Sequence, residues 1–286
     1  MPPPPIPPSP IPPHGAELDD ALTQLDDGSG WFTVCGFGSL LSERSARATL
    51  PDLRNFRKTR IKPGGFAYRR VFAHTADVFF ERGIADPATR EVASLSLERV
   101  VPTDRGGDDG GGGCDDGGGI VVTAFEAPYT PASVAAFVAR EHEFKLVAVH
   151  LDDGGGGGGG GSVAVACERW SDGEYIRRRF GGDRAAFERR WGVVWRDGHG
   201  NGTVWHDESV LPCRLYFRHC VLAARRLGEE EGFLRTTFLA DRKTTAGEWL
   251  ERLEEACGGE FLATGRSRNS GDERAMDAAL LARYGG

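Results

Sequence analysis

Apolar positions in this chain cluster in short runs that read as strands more often than as helices. Trp31-Phe32-Thr33-Val34-Cys35 is aromatic and β-branched and predicts a buried strand. Gly36 to Ser39 then predict a turn, and LLSERSARATL (40–50) predicts a helix stopped by Pro51. FAYRRVF (66–72), VASLSLERV (92–100), IVVTAFE (120–126), KLVAVHL (145–151) and SVAVACE (162–168) are further strand-like runs. The last two flank a glycine run as the arms of a hairpin would. Both glycine-rich runs read as swollen connections between adjacent strands.

Helical periodicity is confined to a few places. In YTPASVAAFVAREHEF, Thr130 is an N-cap and Pro131 the first helical residue. Val134, Phe137 and Val138 fall at i, i+3 and i+4, and the position that completes this apolar face is Glu141. A helix continuing that far would turn Glu143 roughly 160° away, toward solvent. Later, Tyr216, Cys220, Ala223 and Leu227 recur at helical spacing, Gly228 ends that helix, and the stripe reads as core. TTAGEWLERL (244–253) carries a capping box, Thr245 with Glu248, and an apolar face of Trp249, Leu250 and Leu253. Many strands with few helices predict an α+β fold: a mixed curled sheet or small β-barrel with flanking helices, followed by C-terminal helices.

Composition trims this picture. Residues 1–29 open with a proline-rich, polyproline-like stretch that lacks the basic and apolar regions of a signal peptide. Residues 104–119 and 152–162 are glycine-rich insertions with nothing to bury, and 258–286 is rich in glycine, serine and charge. One domain over 30–257 is therefore expected. No apolar stretch reaches the roughly 18 residues of a membrane span, so no membrane partner is expected. A formal charge of −7 argues against nucleic acid. Six cysteines without a CxxC pair suggest reduced thiols and a cytoplasmic location. The seven histidines show no HExxH or HxH spacing, so no metal is expected. GHGNGTVWH (198–206) reads as an exposed loop, and the arginines of EYIRRRF and FERRW as a solvated basic face.

Two stretches carry candidate chemistry. A strand, a Gly-x-Gly turn and a helix start bare backbone N–H groups at a positive helix end. Gly36 and Gly38 let a ligand approach without a Cβ in the way. Leu41 stands where a dinucleotide fingerprint needs its third glycine, and Phe37 and Leu41 where a nucleophile elbow needs glycines. An ordinary turn into a helix stays open as a reading. The second stretch is Glu141 itself, a carboxylate in an apolar stripe and a candidate general base. Its alternative is a structural pairing with Arg69, Arg70 or Arg82.

Gly36-Phe37-Gly38-Ser39-Leu40, Arg69-Arg70-Val71-Phe72, Arg82-Gly83, and Arg140-Glu141 with Phe144 leading into Val147 and Val149, taken in this order and spacing, resemble the γ-glutamylcyclotransferase-like superfamily. LPCRLYFRHCVLAARRLG (211–228) resembles the late helix of its ChaC-type, glutathione-specific branch. The resemblance implies cyclisation of a γ-glutamyl compound to 5-oxoproline without a cofactor. It makes Glu141 the general acid/base and Gly36, Phe37, Gly38, Ser39 and Leu40 the substrate-binding loop. Phe37 stands where the family usually has tyrosine. The implied partner is a small γ-glutamyl molecule: glutathione, another γ-glutamyl peptide or a γ-glutamyl amine. A γ-glutamyl-binding protein with a decayed site, and a serine hydrolase using Ser39, are the other readings kept open.

Overall fold

A computed structural model describes residues 28–62, 67–85, 89–100, 119–152, 162–191, 203–205, 208 and 210–264. The proline-rich start, the glycine-rich insertions apart from their margins, and the chain after Thr264 lie outside the described residues.

Nine strands are described: β1 (Trp31–Gly36), β2 (Arg54–Arg60), β3 (Ala67–Thr75), β4 (Glu91–Val100), β5 (Val121–Pro128), β6 (Lys145–His150), β7 (Val163–Glu168), β8 (Leu211–Pro212) and β9 (Thr237–Leu239). The helices are α1 (Glu43–Arg47), α2 (Asp77–Glu81), α3 (Pro131–Glu141), α4 (Asp172–Arg179), α5 (Arg184–Trp191), α6 (Arg214–Arg226), α7 (Glu230–Thr236), α8 (Ala246–Cys257) and α9 (Phe261–Thr264). The architecture is α+β, built on a mixed and curled sheet.

The curl follows from the pairing. β1 runs antiparallel to β5, and β5 to β2. On its other edge β1 meets β7 in parallel at Val34↔Val165, and β7 runs antiparallel to β6 from Lys145↔Glu168 to His150↔Val163. β6 then returns to β2: Ile61 bridges Leu151, Lys62 N–H donates to His150 O at 2.8 Å and Asp152 N–H to Arg60 O at 2.9 Å. Five strands thus form a ring in the order β1, β5, β2, β6, β7, and small barrels of this kind bury their edges against one another. β4 joins β7 at Leu97↔Glu168 and carries β3 and β9 outward as a wing. Phe32, Val34, Phe125, Val165 and Leu95 are among the residues withdrawn from solvent on these strands. α6 covers the wing, with Phe217 against Phe72 at a centroid distance of 5.5 Å.

Several sequence expectations change here. The helix expected over 40–50 is one 3-10 turn, Ser39–Leu41, and then the short α1. Ser42 separates them because its hydroxyl accepts the Ser45 N–H and so starts a new helix. The 104–119 insertion does not join adjacent strands, since β4 and β5 do not pair; β6 and β7 do. Strand β2 is mostly polar and exposed, which hid it from a reading based on apolar runs. Val204 and Trp205 are buried, with Val204 O accepting the Thr75 N–H, so this part of GHGNGTVWH is not an exposed loop; His199 and His206 lie outside the described residues. The arginine face is only partly solvated: Arg190 pairs with buried Asp77, and Arg179 donates to His142 O and Phe144 O. Cys35, Cys167, Cys213, Cys220 and Cys257 are free and buried, while Cys114 lies outside the described residues. Among the described residues no helix is long and apolar enough to cross a membrane.

Candidate active site

The site begins with the end of α3. Thr130 caps its start, its hydroxyl accepting the Ser133 N–H, and Phe137 anchors its inner face at 1 % exposure. Glu141 is the last helical residue on that face, with its side chain 12 % exposed. One carboxylate oxygen accepts from Arg140 Nε at 2.8 Å and the other faces the Cys167 thiol of β7 at 3.6 Å. Arg69, Arg70 and Arg82 are not its partners; Arg69, for one, pairs with Glu98.

Arg140 connects this carboxylate to the glycine turn. Its Nη2 donates to Ser39 Oγ at 2.9 Å, and its Nη1 to Thr49 Oγ1 at 2.9 Å and Ser45 O at 3.2 Å. One planar guanidinium therefore fixes Glu141 relative to Ser39, although the two residues come from different parts of the ring. Tyr216 of α6 closes the other side. Burial first, then the nearby Cys220 and the charge of Glu141, hold its phenol well above its ordinary pKa. It stays protonated, a neutral group beside an ionisable one. His219, one turn further along the same side of α6, has its Nε2 at 3.3 Å from Ser39 O.

The two glycines are required by close approach. A Cβ on Gly36 would lie 2.5 Å from Thr123 Oγ1 and 2.6 Å from Leu40 O; one on Gly38 would lie 2.7 Å from Tyr216 Oη. Thr123 stitches the turn to β5, donating to Leu40 O at 2.8 Å. Gly36 thus serves the strand and Gly38 the phenol. Phe37 and Leu40 are buried at 6 % and 7 % exposure. The 3-10 turn is too short for the positive helix end expected there, because few aligned peptide dipoles stand behind its N–H groups.

Glu141 and Ser39 come together; Glu143 does not stay outside. α3 stops at Glu141, with His142 as C-cap, so helical rotation no longer applies and Glu143 turns inward. It is 6 % exposed and lies 3.2 Å from His74 Nε2. Arg140, Cys167 and Tyr216 were not among the expected site residues. A buried phenol in a stripe of small side chains was the available signal for Tyr216, since its hydroxyl needs a partner.

No family model matches the chain, and no curated protein matches it. A solved structure described as a gamma-glutamyl cyclotransferase is similar at 9 % identity and a TM-score of 0.31, over 60 % of this chain and 94 % of that one. Likeness at that level does not establish a shared family, and the functional reading rests on the geometry of the chain itself.

Proposed function

We propose that the chain is a γ-glutamylcyclotransferase-type enzyme, with Glu141 as general acid/base and the 36–40 turn as the cradle for the substrate. The observation that carries the reading is the Arg140 bridge, which sets a largely buried carboxylate beside a glycine turn. In this reaction the substrate's α-amine loses a proton to Glu141 and attacks its own γ-carbonyl carbon. The tetrahedral intermediate then collapses, the C–N bond to the leaving amine breaks, and Glu141 returns the proton to that nitrogen. Nucleophile and electrophile belong to one molecule, so holding the chain bent supplies much of the rate. The Gly38, Ser39 and Leu40 N–H groups and the Tyr216 hydroxyl are the donors assigned to the developing oxyanion, each worth about 3 kcal/mol when preset in a dry site.

The substrate class is a γ-glutamyl peptide or amine, glutathione included. The test is 5-oxoproline release from glutathione and a panel of γ-glutamyl dipeptides, with wild type against Glu141→Gln. Release by the wild type that the variant lacks is the expected result. No release from any substrate by a folded wild type overturns the enzyme reading. Calorimetric binding of the same compounds by that inactive protein would favour a ligand-binding protein, a reading that Arg140's occupation of both Glu141 and Ser39 also suits.

A further inference from the structure

We propose that Asp77, His142 and Glu143 form a binding site for a divalent transition-metal ion of the zinc class. The three residues come from two places that the sequence keeps apart. Asp77 opens α2 just after β3, while His142 and Glu143 make the turn between α3 and β6. Their ligand atoms lie within 4.8 Å of one another. Two carboxylates and one imidazole form a donor set suited to zinc and its first-row neighbours.

Two of the three donors, Asp77 and His142, have a hydrogen-bond partner behind them, as metal ligands do. Arg190 donates to Asp77 Oδ2. His74 Nε2 lies 3.2 Å from Glu143 Oε2, and His74 Nδ1 lies 2.5 Å from Ser94 Oγ. The His142 Nδ1 lies 3.2 Å from Ala139 O, an acceptor, so Nδ1 carries the proton and Nε2 is left with the lone pair a metal takes. Glu143 Oε1 supplies the independent sign of a missing ligand: it is buried and has no hydrogen-bond partner among the described residues, on a side chain 6 % exposed. A buried carboxylate oxygen left without a donor is costly, and a bound cation removes that cost.

A bound ion would tie the end of α3 to α2, a staple next to the Glu141 site but not part of it. The full-length chain, purified with a chelator and then dialysed against zinc, tests this by metal content and thermal midpoint. About one zinc per chain is expected, with the midpoint rising roughly 5–10 °C when free zinc is about 100 times Kd. His142→Ala should lower the affinity at least ten-fold and remove the shift. His142 lies at a helix end and is not buried, so this variant should keep the fold even if Glu143→Gln does not. A wild type that retains no zinc, or a His142→Ala variant that binds as tightly as the wild type, overturns the proposal. In either of those cases the two carboxyl groups share a proton instead.

Discussion

Replacing Gly38 by alanine should disturb the turn through one identifiable atom. The new methyl would sit 2.7 Å from Tyr216 Oη, with its next neighbours, Leu95 Cβ and Cδ2, at an ordinary 3.5 Å. The phenol must therefore retreat by about 0.7 Å, and overpacking of this kind costs about 1–3 kcal/mol. Tyr216→Phe alone, the loss of one buried hydroxyl, should cost about 1 kcal/mol. In the double variant the obstructing oxygen is gone, so the two losses should not add. The shortfall should exceed about 1 kcal/mol, well above the scatter of independent sites. Urea unfolding of the four proteins measures it. A matched pair at Gly36 provides the contrast. There the added Cβ also meets a main-chain oxygen, Leu40 O at 2.6 Å, so Thr123→Ala should not rescue Gly36→Ala. Additive losses in the Gly38–Tyr216 cycle would refute the assignment of that glycine to the phenol.

Arg140→Lys should lower the turnover of γ-glutamyl substrates by roughly ten- to a hundred-fold with little change in unfolding midpoint, because an ammonium cannot hold Ser39, Thr49 and Glu141 together; steady-state kinetics beside a denaturation curve decides it. Glu98, 8 % exposed and shared by Arg69, Arg169 and Arg242, should cost about 2–3 kcal/mol as Glu98→Gln in urea unfolding, less than a fully buried pair because the arginines keep some water. Thr245→Ala breaks the capping box of α8 and should cost about 1 kcal/mol, read as a shift in urea midpoint at constant slope. Asp172 is held above the ordinary carboxylate range, chiefly by burial, so its protonated form favours folding and its contribution is lost as pH rises through the folded pKa. Asp172→Asn should therefore remove a falling limb from the pH–stability curve just above that range, and identical curves would contradict this.

The strands with continuous apolar runs were legible in the sequence because burial on both sides leaves no room for polar residues. β1, β3, β4, β5, β6 and β7 all fall where the runs lie. So do the caps at Thr130 and Thr245, whose hydroxyls need only their own helix. β2 was not legible, since RNFRKTR owes its strand to partners far away and not to its own side chains. Glu141 could be picked out because a carboxylate interrupts an apolar stripe. Glu143 was misplaced, since its direction depends on where α3 stops, and helix ends are the least certain part of any reading from periodicity. Arg140 and Tyr216 have roles set by what the ring brings near them, which periodicity does not encode.

The closed ring also bears on how the chain is made. β1 is complete early, yet its two partners are β5 and β7, and the contact Val34↔Val165 cannot form until β7 has been synthesised. At the usual ~5–20 residues per second, the intervening segment keeps that edge of β1 unpaired for roughly 7–26 s. A ribosome therefore presents a sticky strand, unpaired on both edges until β5 follows and half-paired from then until β7, and the yield of soluble protein should depend on holdase chaperones more than its final stability would suggest.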